Sequence, residues 1–352
     1  MRYGKIRIED GYLAYSRHMM LNSLPCKDIV WAYMRREGDD SPGGSVKQII
    51  SNYLVVVTKR KKRYMFDMTE KEVQDCLRLL KALNPEMAVG FPRGGRLPLQ
   101  SLPNTRDLGA LTARDGRHIL PRKLLRSGEL YHASQADKQL LTEEYRVKTV
   151  VDFRSNIERK EKPDVILRGV EYYHIPILDE ENLGLFGDGR VCNRLLTYQG
   201  DGETYMEQMY ENLIRDRYSV NQYARFLDVL IRHKEGAVLW HSWDGTGRAG
   251  VATALLLCAL DIPEETIRED FMRSNAYLEA ELQYMLLYLE AMGMDSPRVA
   301  ENMSIFFRVK EAYIDRVFQI IRQEYGTVER FLRRGLYLTP RAVEELRDKY
   351  LI

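Results

Sequence analysis

The chain has 352 residues, of which 45% are apolar and 30% charged, an ordinary globular composition that excludes a disordered or fibrous polymer. Lys and Arg number 53 against 51 for Asp and Glu, a net charge of +2. The global basic field of a non-specific nucleic-acid binder is therefore missing, no nucleic-acid partner is expected, and any anion site must be local. At roughly 150 residues per domain the length suggests two domains. Cys26, Cys76, Cys192 and Cys258 have neither paired nor CxxC spacing, so neither a disulfide scaffold nor a zinc site is expected. The first ten residues, MRYGKIRIED, lack the apolar core of a signal peptide. The longest apolar stretch, 249–260, is shorter than the ~20 residues of a membrane span, and the expected compartment is a reducing cytoplasm.

The first ninety residues read as strands followed by one helix. Asp28–Met34, Tyr53–Thr58 and Tyr64–Met68 are strand-like, with the basic run Lys59–Arg63 as a hairpin turn between the last two. Thr69 and Glu72 form a capping box, Val73, Cys76, Leu77, Leu80 and Leu83 follow at helical spacing, and Asn84-Pro85 stops the helix. Antiparallel strands closed by a C-terminal helix resemble the pleckstrin-homology (PH) or GRAM-like class, expected here over 1–88. The Lys59–Arg63 run is either a solvated turn or a patch for an anionic membrane surface. Four prolines and three glycines between 85 and 103 mark a linker, expected over 89–103.

Further on, strands alternate with helices. Thr149–Phe153, Tyr172–Ile177 and Ala237–Trp240 are strand-like, Arg248–Leu260 is an almost wholly apolar and therefore buried helix, and helices follow from Pro263. The expected class is α/β, a central sheet flanked by helices.

The chemistry concentrates in 241–250, His-Ser-Trp-Asp-Gly-Thr-Gly-Arg-Ala-Gly, between a strand and the N-terminus of that helix. Unpaired helix N–H groups favour an anion there, Gly245 and Gly247 let the backbone turn its amides inward, and Arg248 offers a planar fork for two phosphate oxygens. Gly245-x-Gly247-x-x-Gly250 also matches a dinucleotide fingerprint, but a helix follows where that motif needs a second strand. A serine-hydrolase elbow needs glycines two positions either side of Ser242, where Trp240 and Asp244 stand.

His241-Ser242-x5-Arg248 resembles the cysteine-phosphatase signature, with serine at the nucleophile's place. Asn104-Thr-Arg106-Asp107-Leu-Gly109 resembles the NxRDLGG motif of the bacterial-type tyrosine phosphatases. Arg126–Leu130, Val151–Glu158, Pro263–Asn275 and Tyr325-Gly326 with Phe331-Leu332 follow in the family's order, so the resemblance spans 104–352. It implies the cysteine-phosphatase fold and hydrolysis of a phosphate monoester, without metal or cofactor. A nucleophile at position 242 would attack phosphorus while the segment Trp243, Asp244, Gly245, Thr246, Gly247 and Arg248 holds the phosphate. Arg106, Asp107 and Arg154 are expected near it, or as ion pairs bracing the loop. Asp152 and Glu158 are expected to be structural and His241 to orient the loop.

Three departures matter. Gly247 stands where many members carry an acidic general acid, which moves that role to Asp179. Ala249 replaces the family's Ser or Thr. Asp244 is similar to the acidic loop residue of myotubularin lipid phosphatases, which also carry a GRAM-like domain. The substrate is therefore expected to be a phosphotyrosine protein or an inositol phosphate or phosphoinositide. Residues 181–225, with Arg190, Arg194, Tyr205 and Tyr210, are an insertion that serves as a lid or only packs, and Trp243 is a pocket wall or packs above the loop. Ser242 has two readings: a Cys-to-Ser substrate trap, or a natural pseudophosphatase that acts as a phosphate-binding module.

Overall fold

The computed structural model describes residues 2–17, 20–37, 51–178, 191–294 and 296–352. The chain forms two compact units that meet at Pro92/Arg93 in the sequence.

In the first unit, β1 (Arg2–Tyr3), β2 (Ile6–Glu9), β3 (Tyr12–Arg17) and β4 (Met20–Pro25) form an antiparallel meander. A second sheet has the order β7 (Arg63–Met68), β6 (Ser51–Thr58), β5 (Ile29–Glu37), β8 (Ala88–Val89), with only β8 parallel to its neighbour. Helix α1 (Glu70–Leu83) starts at the expected Thr69–Glu72 capping box and buries Val73, Cys76 and Leu80. Their cluster includes Ile8 and Leu13 of the first sheet and Leu54 and Val56 of the second. Asn84 ends the helix and donates its side-chain amide to the carbonyls of Cys26 and Ile29, 3.0 and 2.8 Å away. One short polar residue thus stops α1 and ties its end to the start of β5.

The second unit is built on a five-stranded sheet of order β12 (Glu171–His174), β11 (Val147–Asp152), β13 (Ala237–His241), β10 (Leu124–Ser127), β9 (Arg106–Asp107). Its strands are parallel except β9. Helices surround it in chain order: α2 (Gln135–Gln139), α3 (Asn156–Glu161), α4 (Val191–Leu196), α5 (Gly202–Arg215), α6 (Arg217–Arg232), α7 (Gly247–Ala259), α8 (Glu264–Ala291), α9 (Pro297–Phe306), α10 (Glu311–Tyr325), α11 (Val328–Arg334) and α12 (Pro340–Tyr350). β13 is central and buried at all five positions, and α7, which leaves it through one short loop, is buried at every position but Cys258. The helix carries no polar stripe because Phe226, Phe271, Val317 and Phe331, from four other helices, join its core cluster.

The stretch expected as a linker over 89–103 behaves differently. Leu97, Leu99 and Leu102 are buried in a cluster with Leu125, Leu130 and Val150, so the second unit takes up the chain from Arg93. Its prolines and glycines do set an irregular path, but the leucines between them supply enough apolar surface to fix that path against the sheet.

Candidate active site

In a parallel sheet the carboxyl ends of the strands face the loops that bind ligands. β13 ends at His241, and residues 242–246 turn directly into α7. Four successive carbonyls of this turn are held, three from other segments and the fourth by the first turn of α7. Trp243 O accepts the Glu129 N–H at 2.9 Å, Asp244 O accepts the Asn104 side-chain amide at 2.8 Å, Gly245 O accepts Arg126 Nη2 at 2.6 Å, and Thr246 O accepts the Gly250 N–H at 2.8 Å. A trans peptide points its N–H opposite its C=O, so the amides of Asp244, Gly245, Thr246 and Gly247 face the other way. Gly245 makes the turn possible. Its φ is +76°, and a β-carbon there would lie 2.4 Å from Ser127 O.

The donor behind the loop is Arg126, whose motif by itself points to no role for it. It and Arg106 share Asp270: Arg126 Nη1 donates to Oδ2 at 2.7 Å and Arg106 Nε to Oδ1 at 2.8 Å. Arg106 also donates to Asn104 Oδ1 and Ser274 Oγ and is fully buried. Burial, then the neighbouring Arg106, pulls Arg126 down to about 10, against the pull of Asp270. Arg106 therefore braces the loop from behind and does not reach the phosphate side where it was also expected. Asp107 is likewise removed from the site. Its carboxylate accepts the N–H groups of Gly109 and Arg122 at 2.8 Å each, and burial raises it to about 6.

Arg248 lies in the first turn of α7 and meets Glu158 of α3 end-on, with Nη1 to Oε2 and Nη2 to Oε1 both 2.6 Å. Glu158 Oε2 also accepts the Ser155 N–H at 2.8 Å, the capping box that starts α3. Burial alone would raise Glu158, but Arg248 outweighs it and the net shift is downward. Burial would lower Arg248, and Glu158 turns that shift upward. An end-on pair uses the outer N–H of each terminal nitrogen and leaves the Nε–H/Nη2–H edge of the guanidinium for two further oxygens.

A cavity of about 80 Å³ opens at this point, with Arg248, Glu158, Asp244, Thr246, Gly247 and Trp243 in its wall. At about 10–15 Å³ per water, that is room for several waters and so for a phosphate group. Leu195, Tyr205, Met206, Met209, Tyr210 and Phe306 complete it with Leu178. The helix around Tyr205 and Tyr210 therefore does contribute to the pocket. Trp243 both lines the pocket and packs edge-on against Phe307, with ring centroids 5.4 Å apart.

Ser242 is 1% exposed, and its Oγ has no hydrogen-bond partner among the described residues. It is not part of the cavity wall, and neither is Gly245. Asp244 turns its carboxylate onto its own loop, accepting the Thr246 N–H at 2.9 Å and the Thr246 hydroxyl at 2.5 Å. The Thr246 amide, expected to hold phosphate, is engaged by that carboxylate. The amides of Asp244, Gly245 and Gly247 remain.

His241 is buried beside two carboxylates, Nε2 2.9 Å from Asp164 Oδ2 and Nδ1 3.9 Å from Asp152 Oδ1. Burial alone would lower its pKa, but the two carboxylates raise it above the ordinary value. Arg154 Nη2 lies 2.9 Å from Asp152 Oδ2 and 2.8 Å from Asp164 Oδ1, binding the group into one buried network. Burial pushes Asp152 up, yet His241 and Arg154 bring it down to about 2. Asp152, as expected, and Arg154 have structural places here. Asp179 and Arg190 lie outside the described residues.

Residues 97–352 match the model of the tyrosine phosphatase family. A Cupriavidus necator protein assigned to the tyrosine-protein phosphatases is 28% identical over 259 residues, covering 72% of this chain and 88% of that protein. The triple specificity protein phosphatase PtpB of Mycobacterium tuberculosis is 25% identical over 241 residues, covering 61% and 86%. A tyrosine-protein phosphatase of Nostoc commune is 26% identical over 161 residues, covering 45% and 50%. The match takes in every phosphatase-like motif from Asn104 to Leu332 and covers more than half of the chain. This chain belongs to the tyrosine phosphatase family.

Proposed function

We propose that the second unit binds phosphate monoesters of aromatic alcohols, phosphotyrosine in a protein above all, in the cavity at Arg248. The observation that carries this is the cavity's charge. Among the described residues its wall holds one cation, Arg248, and two carboxylates, Glu158 and Asp244, with apolar side chains for the rest. One phosphoryl group can take the open guanidinium edge and the amides of Asp244 and Gly247. A flat ring would lie against Trp243, Tyr205 and Phe306. An inositol ring with several phosphates needs more cations than this wall offers, and the two carboxylates would repel the additional charge.

With Ser242 in place the protein holds its substrate without turning it over. A thiol beside a helix N-terminus and an arginine ionises near neutral pH, whereas a serine hydroxyl does not and needs a base. The adjacent imidazole, His241, turns its ring nitrogens to Asp164 and Asp152, and Ser242 Oγ has no hydrogen-bond partner among the described residues to take its proton. In Ser242→Cys, the thiolate would form a sulfur–phosphorus bond as the ester oxygen leaves with its electron pair. Asp179 is the proposed donor of the proton that oxygen needs, and water then releases phosphate. Ala249 lacks the hydroxyl that family members place there to help the sulfur leave, so the second step is expected to be the slower one.

The first unit gives a second proposal. Its two sheets and closing helix fit a PH- or GRAM-like module, and Lys59, Arg60, Lys61 and Lys62 are exposed at the tip of the β6–β7 hairpin. Such a tip suits an anionic membrane surface at about 1 kcal/mol per cation.

The deciding experiment assays Ser242→Cys against a phosphotyrosine peptide and a soluble inositol polyphosphate. The peptide should be hydrolysed and the inositol polyphosphate left intact. Preference for the inositol polyphosphate would overturn the assignment of substrate. Binding of the peptide without hydrolysis by Ser242→Cys would establish the natural pseudophosphatase reading.

A further inference from the structure

Tyr210 sits on α5 with its ring fully buried and its hydroxyl oxygen without a hydrogen-bond partner among the described residues. Its ring stacks on Tyr313, centroids 4.8 Å apart at 20°, and meets Phe271 edge-on at 6.1 Å and 73°. Two aromatic neighbours therefore fix where the hydroxyl points. Tyr210 is in the wall of the cavity beside Arg248, and its hydroxyl would stand 3.5 Å from a β-carbon placed on Gly247. Because residue 247 is glycine, no side chain from that position packs on the hydroxyl. Gly247, in the first turn of α7, lines the same cavity.

A buried hydroxyl without a partner costs stability, and native structures leave few of them unexplained. Here the group belongs to a residue of the same cavity wall as Arg248, Asp244 and Gly247, which are proposed to receive a phosphoryl group. We infer that Tyr210 is a substrate-binding residue whose hydroxyl donates a hydrogen bond to an oxygen of the bound phosphoryl group. This inference rests on the phosphate reading of the cavity.

The chemistry of the group sets its role. Burial, and after it the carboxylate of Asp244, holds the phenol well above its ordinary pKa of 10. The hydroxyl thus stays protonated and gives a hydrogen bond but no proton, which keeps it distinct from a general acid. A neutral donor also adds no charge to a wall that already has the single cation one phosphoryl group requires.

The test compares the parent chain with Tyr210→Phe, titrated with inorganic phosphate and with phenyl phosphate. Removing only the hydroxyl should weaken both ligands by about tenfold, since a hydrogen bond to a charged acceptor is at stake. Without ligand, Tyr210→Phe should melt at the same temperature as the parent or higher, because a buried unpaired group has been removed. A purely structural tyrosine would give the opposite pattern, with unchanged affinity or a lowered melting temperature at full affinity, and either result overturns the inference. If the parent itself binds neither ligand, the phosphate reading of the cavity fails, and the role of Tyr210 falls with it.

Discussion

Glu158 receives both terminal nitrogens of Arg248 at 2.6 Å, and the same carboxylate caps the helix that carries it. Arg248 is thus oriented from a different strand–helix segment, and the phosphate binding proposed for it depends on that remote carboxylate. Glu158→Gln keeps the shape and removes the charge, leaving a buried guanidinium unpaired. Loss of one partner from such a pair costs about 3–5 kcal/mol. Urea unfolding should show a loss of that order, and phosphate affinity should fall as the guanidinium loses its fixed orientation.

The network behind the loop should be equally sensitive. Asp270 is the shared acceptor of Arg106 and Arg126, and Arg126 in turn holds Gly245 O. Asp270→Asn would leave two buried cations facing each other with one neutral partner. A stability loss of about 3 kcal/mol or more is expected, together with weaker phosphate binding, because Gly245 O is no longer pinned. Thr105→Ala, which removes a hydroxyl 2.6 Å from Ser127 Oγ without touching the ion pairs, should cost about 1 kcal/mol and leave phosphate binding in place.

How much of this the residues announce depends on the distance over which they act. The loop 241–250 was legible because its chemistry is local: glycines, an arginine and a helix start follow one another in the chain. The capping box at Thr69 is local in the same way. Arg106 was left with two readings, at the phosphate or as a bracing ion pair, because its motif gives proximity to the loop but not the side from which it approaches. That side is set by Asp270, 164 residues away. Arg126, Asn104 and Glu158 likewise act across long separations, and their only sequence signal was membership in ordered motifs. The linker over 89–103 was over-read from its prolines and glycines, since burial of Leu97, Leu99 and Leu102 depends on a sheet that no local pattern reveals.

Acid should act through Asp152. Its folded pKa is held down to about 2, so its contribution is complete above the unfolded carboxylate range and is lost as pH falls from about 4 toward 2. Urea midpoints of the parent and Asp152→Asn at pH 5, 3 and 2 check this. The parent should be the more stable at pH 5, and the gap should narrow by about 2 kcal/mol at pH 2. A gap that does not change with pH would mean that Asp152 gains nothing from its ionised contacts with Arg154 and His241.

In Ser242→Cys, Asp179→Asn should slow alkyl phosphates much more than p-nitrophenyl phosphate, because a good leaving group needs little protonation in the transition state. Equal slowing of both would remove Asp179 from the role of acid. Asp244→Asn should instead weaken phosphate binding for both substrates alike, since its carboxylate holds the Thr246 hydroxyl and amide that shape the loop.

The most direct test of the cradle at Arg248 is calorimetric titration of phenyl phosphate into the chain as it stands, with Ser242 present, and into Arg248→Lys. Lysine keeps the charge but loses the planar fork that meets Glu158 on one edge and phosphate on the other. The account predicts one site per chain, with at least about tenfold weaker binding in Arg248→Lys while near-ultraviolet circular dichroism reports an intact fold. Phenyl phosphate bound equally well by Arg248→Lys, or not bound at all by the folded parent, would contradict it.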